Sequence, residues 1–152
     1  MKKNNIIIVL TILFSISLTA FTSEETSSWM TNYQEAVNLA KKENKLILMD
    51  FSGSDWCANC IRLERGVFEK EVFKKYAQEK FILLKIDFPV KKKNKLSAEL
   101  TKQNEGLADI YNKEGQFPTI IILDANEKLL AKTGYKPGTA EDYIQHLNSL
   151  LQ

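Results

Sequence analysis

The sequence predicts an α/β fold: a central mixed sheet of about four strands flanked by helices, with one helix ahead of the first strand. Three apolar runs, LILMDF (46–51), FILLKIDF (81–88) and TIIILD (119–124), are continuous rather than alternating and have strand length. Continuity of that kind marks strands covered on both faces. Helix-period patterns separate the three runs, and a fourth, more exposed segment follows the last one closely.

The elements follow in chain order. Thr31 to Gln34 has capping-box form, and Tyr33, Ala36, Val37 and Ala40 then recur at helical spacing up to Asn44. The first strand, 46–51, is interrupted only by Asp50. After SGSDWCANC (52–60) a helical pattern begins, is expected to break at Gly66, and resumes through Phe68, Val72, Phe73 and Tyr76. Pro89 stops the second strand. Val90 to Lys95 is lysine-rich and irregular. Leu100, Leu107, Ile110 and Tyr111 mark another helix, with Gly106 a candidate break and Gly115 a terminator. The third strand turns at Asp-Ala-Asn-Glu into KLLAKTG, a hairpin. Thr139 to Asp142 opens a last helix with Tyr143, Ile144, Leu147, Leu150 and Leu151 on one stripe. The order is αβαβαββα. Strands separated by helices are expected to pair in parallel through right-handed crossovers, and the hairpin adds one antiparallel edge.

At 152 residues, with 44% hydrophobic and 26% charged residues, the chain suits one globular domain rather than a disordered or repetitive one. Lys2 and Lys3 followed by the uncharged, mostly apolar stretch Ile6–Leu18 have the form of a secretory signal, with Ala20 or Thr22 before the cut. The alternative is an uncleaved anchor, although the run is short for a bilayer. The expected organisation is a signal peptide at 1–22, a polar linker at 23–28 and a domain at 29–152. The absence of a Cys after the apolar stretch argues against a lipid-modified N-terminus. Losing Lys2 and Lys3 removes the formal charge of +2, and a near-neutral domain offers no footprint for nucleic acid. Export, to the periplasm or beyond, places the cysteines where disulfides persist.

Cys57 and Cys60 are the only cysteines. A zinc site needs four ligands, and the chain adds only His146 in the final helix, so no metal is expected. Covalent haem needs C-x-x-C-H, but Ile61 follows Cys60, and no cofactor is expected. A purely structural disulfide this short would constrain little chain entropy. What remains is a pair that cycles between dithiol and disulfide. It lies between a buried strand and a helix N-terminus, where unpaired N–H groups favour a thiolate. Cys57, at the helix end, is the expected attacking thiol, and Cys60, one turn inward, the shielded resolving thiol.

LILMDFSGSDWCANC, QFPT at 116–119 and Gly134 together resemble the thioredoxin superfamily. Within it they are similar to exported thioredoxin-like proteins and to the C-terminal thiol domain of the membrane electron conductor DsbD. The resemblance spans residues 29 to 151. It implies a thioredoxin-like fold with an extra N-terminal helix, and a thiol–disulfide oxidoreductase acting on protein disulfides or dithiols. It further implies that Trp56 walls the site, and that Pro118 is cis and sets Phe117 and Thr119 beside the cysteines to pair with substrate. Asp50 would be the buried acid that accepts the proton of Cys60, its pKa raised by burial. A solvent-facing strand-end Asp is the alternative.

The departures from thioredoxin are also informative. The loop from Asp50 to Cys57 is one residue longer, the supporting lysine is expected to be replaced by Leu83, and 89–104 is an insertion. Its Lys91, Lys92, Lys93 and Lys95 are expected to form a solvated loop, with a docking surface for an acidic partner as the sharper possibility. Ala58-Asn59 puts no cation between the cysteines, and Asp55 is a nearby negative charge, so a reducing poise is expected. A DsbD-like membrane electron donor and a monomeric protein follow. An oxidase or isomerase would share every motif, and a non-enzymatic binding module would tolerate loss of both thiols.

Overall fold

A computed structural model describes residues 28–152, so the expected signal peptide and nearly all of the linker lie outside the described residues. The sheet is built around β1 (Leu46–Ser52). It pairs in parallel with β2 (Phe81–Asp87) on one side and antiparallel with β3 (Thr119–Leu123) on the other; β4 (Leu129–Gly134) extends β3 as a hairpin. β1 and its two neighbours, edge strand β2 and inner strand β3, are covered front and back, which is why the three apolar runs are continuous. The period-two alternation divides their side chains between two core layers.

On one face Leu48, Leu83, Ile120 and Ile122 meet α2 (Ala58–Leu63), α3 (Glu71–Lys80) and α5 (Ala140–Leu150) through Leu63, Phe73, Tyr143 and Leu147. On the other, Ile47, Met49, Phe51, Leu84 and Ile121 meet α1 (Tyr33–Glu43) through Ala36, Val37 and Ala40. Leu107 of α4 (Ala98–Tyr111) packs there too. A chain segment before α1 adds to the outer edge of β2: the Met30 amide donates to the Leu83 carbonyl, and the Lys85 amide to Met30 (both 2.9 Å). That bridge seats Trp29 against Phe68, ring centroids 5.1 Å apart.

The element order is the expected αβαβαββα, but four local expectations are corrected. β3 runs antiparallel to β1, not parallel. Ser52 faces Asp87 and Phe51 faces Thr119, so β2 leaves the sheet and β3 joins it at the same end. The α4 connection therefore starts and finishes beside the cysteines instead of returning the chain to the far end. Gly66 does not break the helix. α2 runs into a π turn over Glu64–Phe68, where the Glu69 amide reaches back to the Glu64 carbonyl at 2.9 Å, and the break falls at Glu69-Lys70. Gly106 lies inside an uninterrupted α4, which leaves Ile110 exposed. The cap of α1 is Asn32 rather than Thr31, its side chain accepting from the Glu35 amide at 3.0 Å. The last helix opens where expected, and Thr139 and Asp142 form a capping box at its start.

Candidate active site

Strand β1 delivers the chain into a turn at Gly53, whose carbonyl accepts from the amides of Trp56 (3.2 Å) and Cys57 (2.8 Å). Cys57 is the N-cap of α2. Its backbone is extended, and its Sγ accepts from the Cys60 amide at 3.2 Å, one of the orphan donors of a helix start. Cys57 and Cys60 form a disulfide. The Gly53 amide approaches the Cys60 Sγ at 3.5 Å. In this oxidised form both are nearly enclosed, 7% and 4% exposed. The contrast expected between an exposed and a shielded thiol is thus slight here. What separates the two is place: Cys57 at the helix cap, Cys60 within the first turn.

Trp56 stands beside the pair with 46% of its surface exposed. Its indole N–H donates to the Phe88 carbonyl at 2.7 Å, and its ring meets Phe117 edge-on at 5.4 Å. Phe88 in turn packs edge-on against Phe117 at 5.5 Å. The Phe117–Pro118 peptide is cis, as the resemblance implies. Gly134 is required opposite it, since a Cβ there would lie 2.9 Å from the Pro118 carbonyl oxygen. Thr119 is buried, and its hydroxyl donates to the Gln116 carbonyl at 2.9 Å. Its backbone is flanked by β1 and β4. Thr119 therefore braces the loop and presents no side chain at the surface.

Asp50 is buried, on the sheet face covered by α2. Its Oδ2 accepts from Lys85 Nζ at 2.7 Å, while Oδ1 is buried without a partner. Lys85 also donates to Glu64 of the π turn, and its ammonium lies 4.7 Å from the Trp29 ring centroid. Burial pushes the Asp50 pKa up to about 6, with Lys85 pulling against it and Glu64 adding to the rise. Lys85 is raised, because the two carboxylates outweigh its desolvation. The expectation that Leu83 replaces the supporting lysine is wrong. The parallel register sets Asp50 opposite Lys85, while Leu83 lies opposite Leu48, two residues earlier on the same face. Glu64, one turn beyond Cys60, and Trp29 were not anticipated. The i, i+4 spacing of Cys60 and Glu64 was the available signal for the first.

Asp55 has a structural role that the sequence did not announce. Its carboxylate accepts from the Val90 amide (3.0 Å), the Lys91 amide (3.0 Å) and Asn94 Nδ2 (2.8 Å). These bonds, the backbone bond to Val90 foremost, hold its pKa below the usual carboxylate range. Ser54 donates through both its amide and hydroxyl to the Asp87 carboxylate (2.9 and 2.6 Å). The insertion is therefore stitched to the active-site turn, and its tip is a 3-10 turn at Lys92–Asn94. His146, on α5, places its Nε2 2.8 Å from the Thr133 hydroxyl of β4.

A disulfide at a helix cap, a tryptophan before it, a facing cis-proline and a buried acid below form one constellation. Residues 28–125 match the family model described as thioredoxin-like. The chain belongs to the thioredoxin-like family. It is 33% identical over 121 residues to the disulfide bond reductase DsbH of Chlamydia pneumoniae, covering 80% of this chain and 71% of that one. It is 29% identical to the thioredoxin-related protein DsbJ of the same organism, but over only 37% of that longer protein. A solved structure of a DsbH oxidoreductase superposes with a TM-score of 0.75 at 33% identity, over 82% of this chain and 83% of that one. The thioredoxin-like protein is a thiol–disulfide oxidoreductase, and Cys57–Cys60 is its redox-active disulfide.

Proposed function

We propose that the protein is an exported reductase of protein disulfides in which Cys57 attacks, Cys60 resolves and Asp50 handles the proton. The observation that carries the roles is the position of Cys57 as the cap of α2; the buried Asp50, its pKa raised, lies on the sheet face that α2 covers. In the dithiol form, the Cys57 thiolate attacks one sulfur of a client disulfide, and the other client sulfur leaves and takes up a proton. Cys60 then gives its proton towards Asp50 and attacks the Cys57 sulfur, releasing the second client thiol and re-forming the disulfide. Two electrons pass to the client. An acid poised at about pH 6 can accept and return a proton near neutrality.

Trp56 and Phe117 wall the approach to Cys57, and Pro118 sets the backbone edge along which an extended client can lie. Thr119 holds that edge in place from below. The reducing direction is supported by the name of the DsbH relative and by Ala58-Asn59, which places no cation between the cysteines. Asp55, engaged by the insertion, contributes less to this poise than its charge suggests. The pair is recharged by a DsbD-like membrane donor, because an exported reductase must receive its electrons across the membrane; the Lys2, Lys3 and Ile6–Leu18 pattern supports the export.

The reduction potential tests the direction. Equilibration with a dithiothreitol redox buffer should give a value near thioredoxin, roughly −270 mV; a value near DsbA, roughly −120 mV, would replace the reductase with an oxidase. N-terminal sequencing of protein from a secreting host should start within a few residues of Ala20. An intact Met1 on soluble cytoplasmic protein would overturn export.

A further inference from the structure

The insertion contributes to two unlike hollows, one reaching Cys60 and the other reaching Trp56, the residue before Cys57. One, of about 410 Å³, is polar and includes Cys60, Glu64, Arg65, Lys91 and Lys93. The other, of about 470 Å³, takes most of its surface from Trp56, Phe88, Pro89, Val90, Leu96 and Phe117, and its polar lining is Asp87, Lys95 and, from α4, Thr101, Asn104 and Glu105. The second hollow is apolar where a surface usually is not. Val90 is 70% exposed at its lip, and Trp56 is half exposed at its inner wall. Exposed apolar side chains clustered around a concavity mark a binding surface.

This hollow is also held in shape. Both oxygens of Asp55 are occupied by the Val90 and Lys91 amides and Asn94, so the outer lip is tied to the residue preceding Trp56. The inner wall is fixed by the Trp56 N–H on the Phe88 carbonyl. Its occupant is set by continuity: Trp56 and Phe117 belong both to this hollow and to the approach to Cys57. A chain whose disulfide reacts at Cys57 comes within reach of it, because Trp56 directly precedes Cys57. The charge of the same loop narrows the choice, because Lys91, Lys92 and Lys93 are exposed and form no ion pair among the described residues.

We infer that the hollow is a specificity pocket for the client polypeptide. It takes a large aliphatic or aromatic side chain a few residues from the reacting cysteine, and the loop lysines favour acidic residues beyond it. Such a pocket discriminates by the apolar surface it removes from water, and the lysines act mainly on the rate of encounter. This inference rests on the reading of the protein as a reductase of protein disulfides.

The test uses symmetric disulfide dimers of a serine-rich peptide of about eleven residues, long enough for four positions on each side of a central cysteine, with glutamate at both ends. Leucine is placed in turn two, three and four residues to either side of the cysteine. One reduced protein and one dimer yield the protein disulfide and two peptide thiols, which are counted over time. In the wild-type protein, leucine in at least one position should raise the second-order rate constant about tenfold over the serine parent, the order expected of one partly buried side chain. The V90S/L96S variant should lose most of that gain. Because the gain is a ratio within each protein, altered overall activity does not mimic the effect.

Asp55→Asn keeps both apolar side chains but turns an amide N–H₂ towards donors, loosening the lip, and should also lower the gain. It decides the matter if the double variant does not fold. Replacing the terminal glutamates by lysines should slow the reaction several-fold at low salt and little at high salt. A gain below twofold at every position, or one that survives both variants, overturns the pocket. Equal rates for the two charge versions overturn its acidic preference. If dithiothreitol reduces the dimers but the protein reduces none of them, the fault lies with the reductase reading instead.

Discussion

Replacing Asp50 by Asn removes a buried proton-binding group while keeping its volume. In the folded protein the Asp50 pKa stands at about 6, against an ordinary 3.8. A rise of roughly two pH units corresponds to about 3 kcal/mol, at ~1.4 kcal/mol per unit. The native carboxyl holds its proton more tightly than the unfolded one, so its ionisation opposes folding. The stability contributed by the protonated form is complete below about pH 4 and is lost as pH rises through 6. Asn has no such proton. Urea unfolding of the oxidised proteins between pH 4 and 8 isolates this group, because disulfide-bonded cysteines do not titrate. The wild type should lose about 3 kcal/mol relative to Asp50→Asn between pH 4 and 7, and the difference should then level off. Parallel stability curves across that range would refute the buried, raised carboxyl.

The neighbours of Asp50 should move the same transition in opposite directions. Lys85→Met removes the cation that pulls the Asp50 pKa down, so the wild-type loss should shift to higher pH; Glu64→Gln removes a charge that pushes it up, so the loss should shift lower. The same urea series reads both. Gly134→Ala should destabilise the protein by about 1–3 kcal/mol in thermal or urea unfolding, because the new Cβ would sit 2.9 Å from the Pro118 carbonyl and backbone occupies both sides of the contact.

Much of the molecule was legible because strong local signals coincide. The β1, β2 and β3 runs read as strands because they are buried on both faces, and Cys57 and Cys60 read as a redox pair because their neighbours exclude the other uses of two thiols. What was misread depends on how distant segments align. Nothing local in FILLKID says which residue faces Asp50; that is set by the β1–β2 register, which puts Lys85 there and Leu83 two residues earlier. The direction of β3 was hidden for a similar reason. A helix between strands allows either a return to the far end of the sheet or, as here, re-entry at the same end.

Gly66 and Gly106 were overread as breaks. The first sits in a π turn and the second in an exposed stretch of α4, where a helix tolerates glycine at a cost of about 1 kcal/mol. Asp55 illustrates the reverse error. Its charge was legible, but its three partners come from a loop thirty-five residues away. Only the folded chain shows that it anchors the insertion rather than facing Cys57 alone.

The division of labour between the two thiols is tested most directly by trapping. Reduced Cys60→Ser and Cys57→Ser variants are mixed with a disulfide-containing client protein near neutral pH, quenched with acid and resolved by mass. Cys60→Ser should accumulate a mixed disulfide joined through Cys57, since the attack proceeds and the resolving thiol is gone. Cys57→Ser should accumulate little. A stable adduct through Cys60 in the Cys57→Ser variant, with none in its counterpart, would contradict the assignment of Cys57 as the attacking thiol.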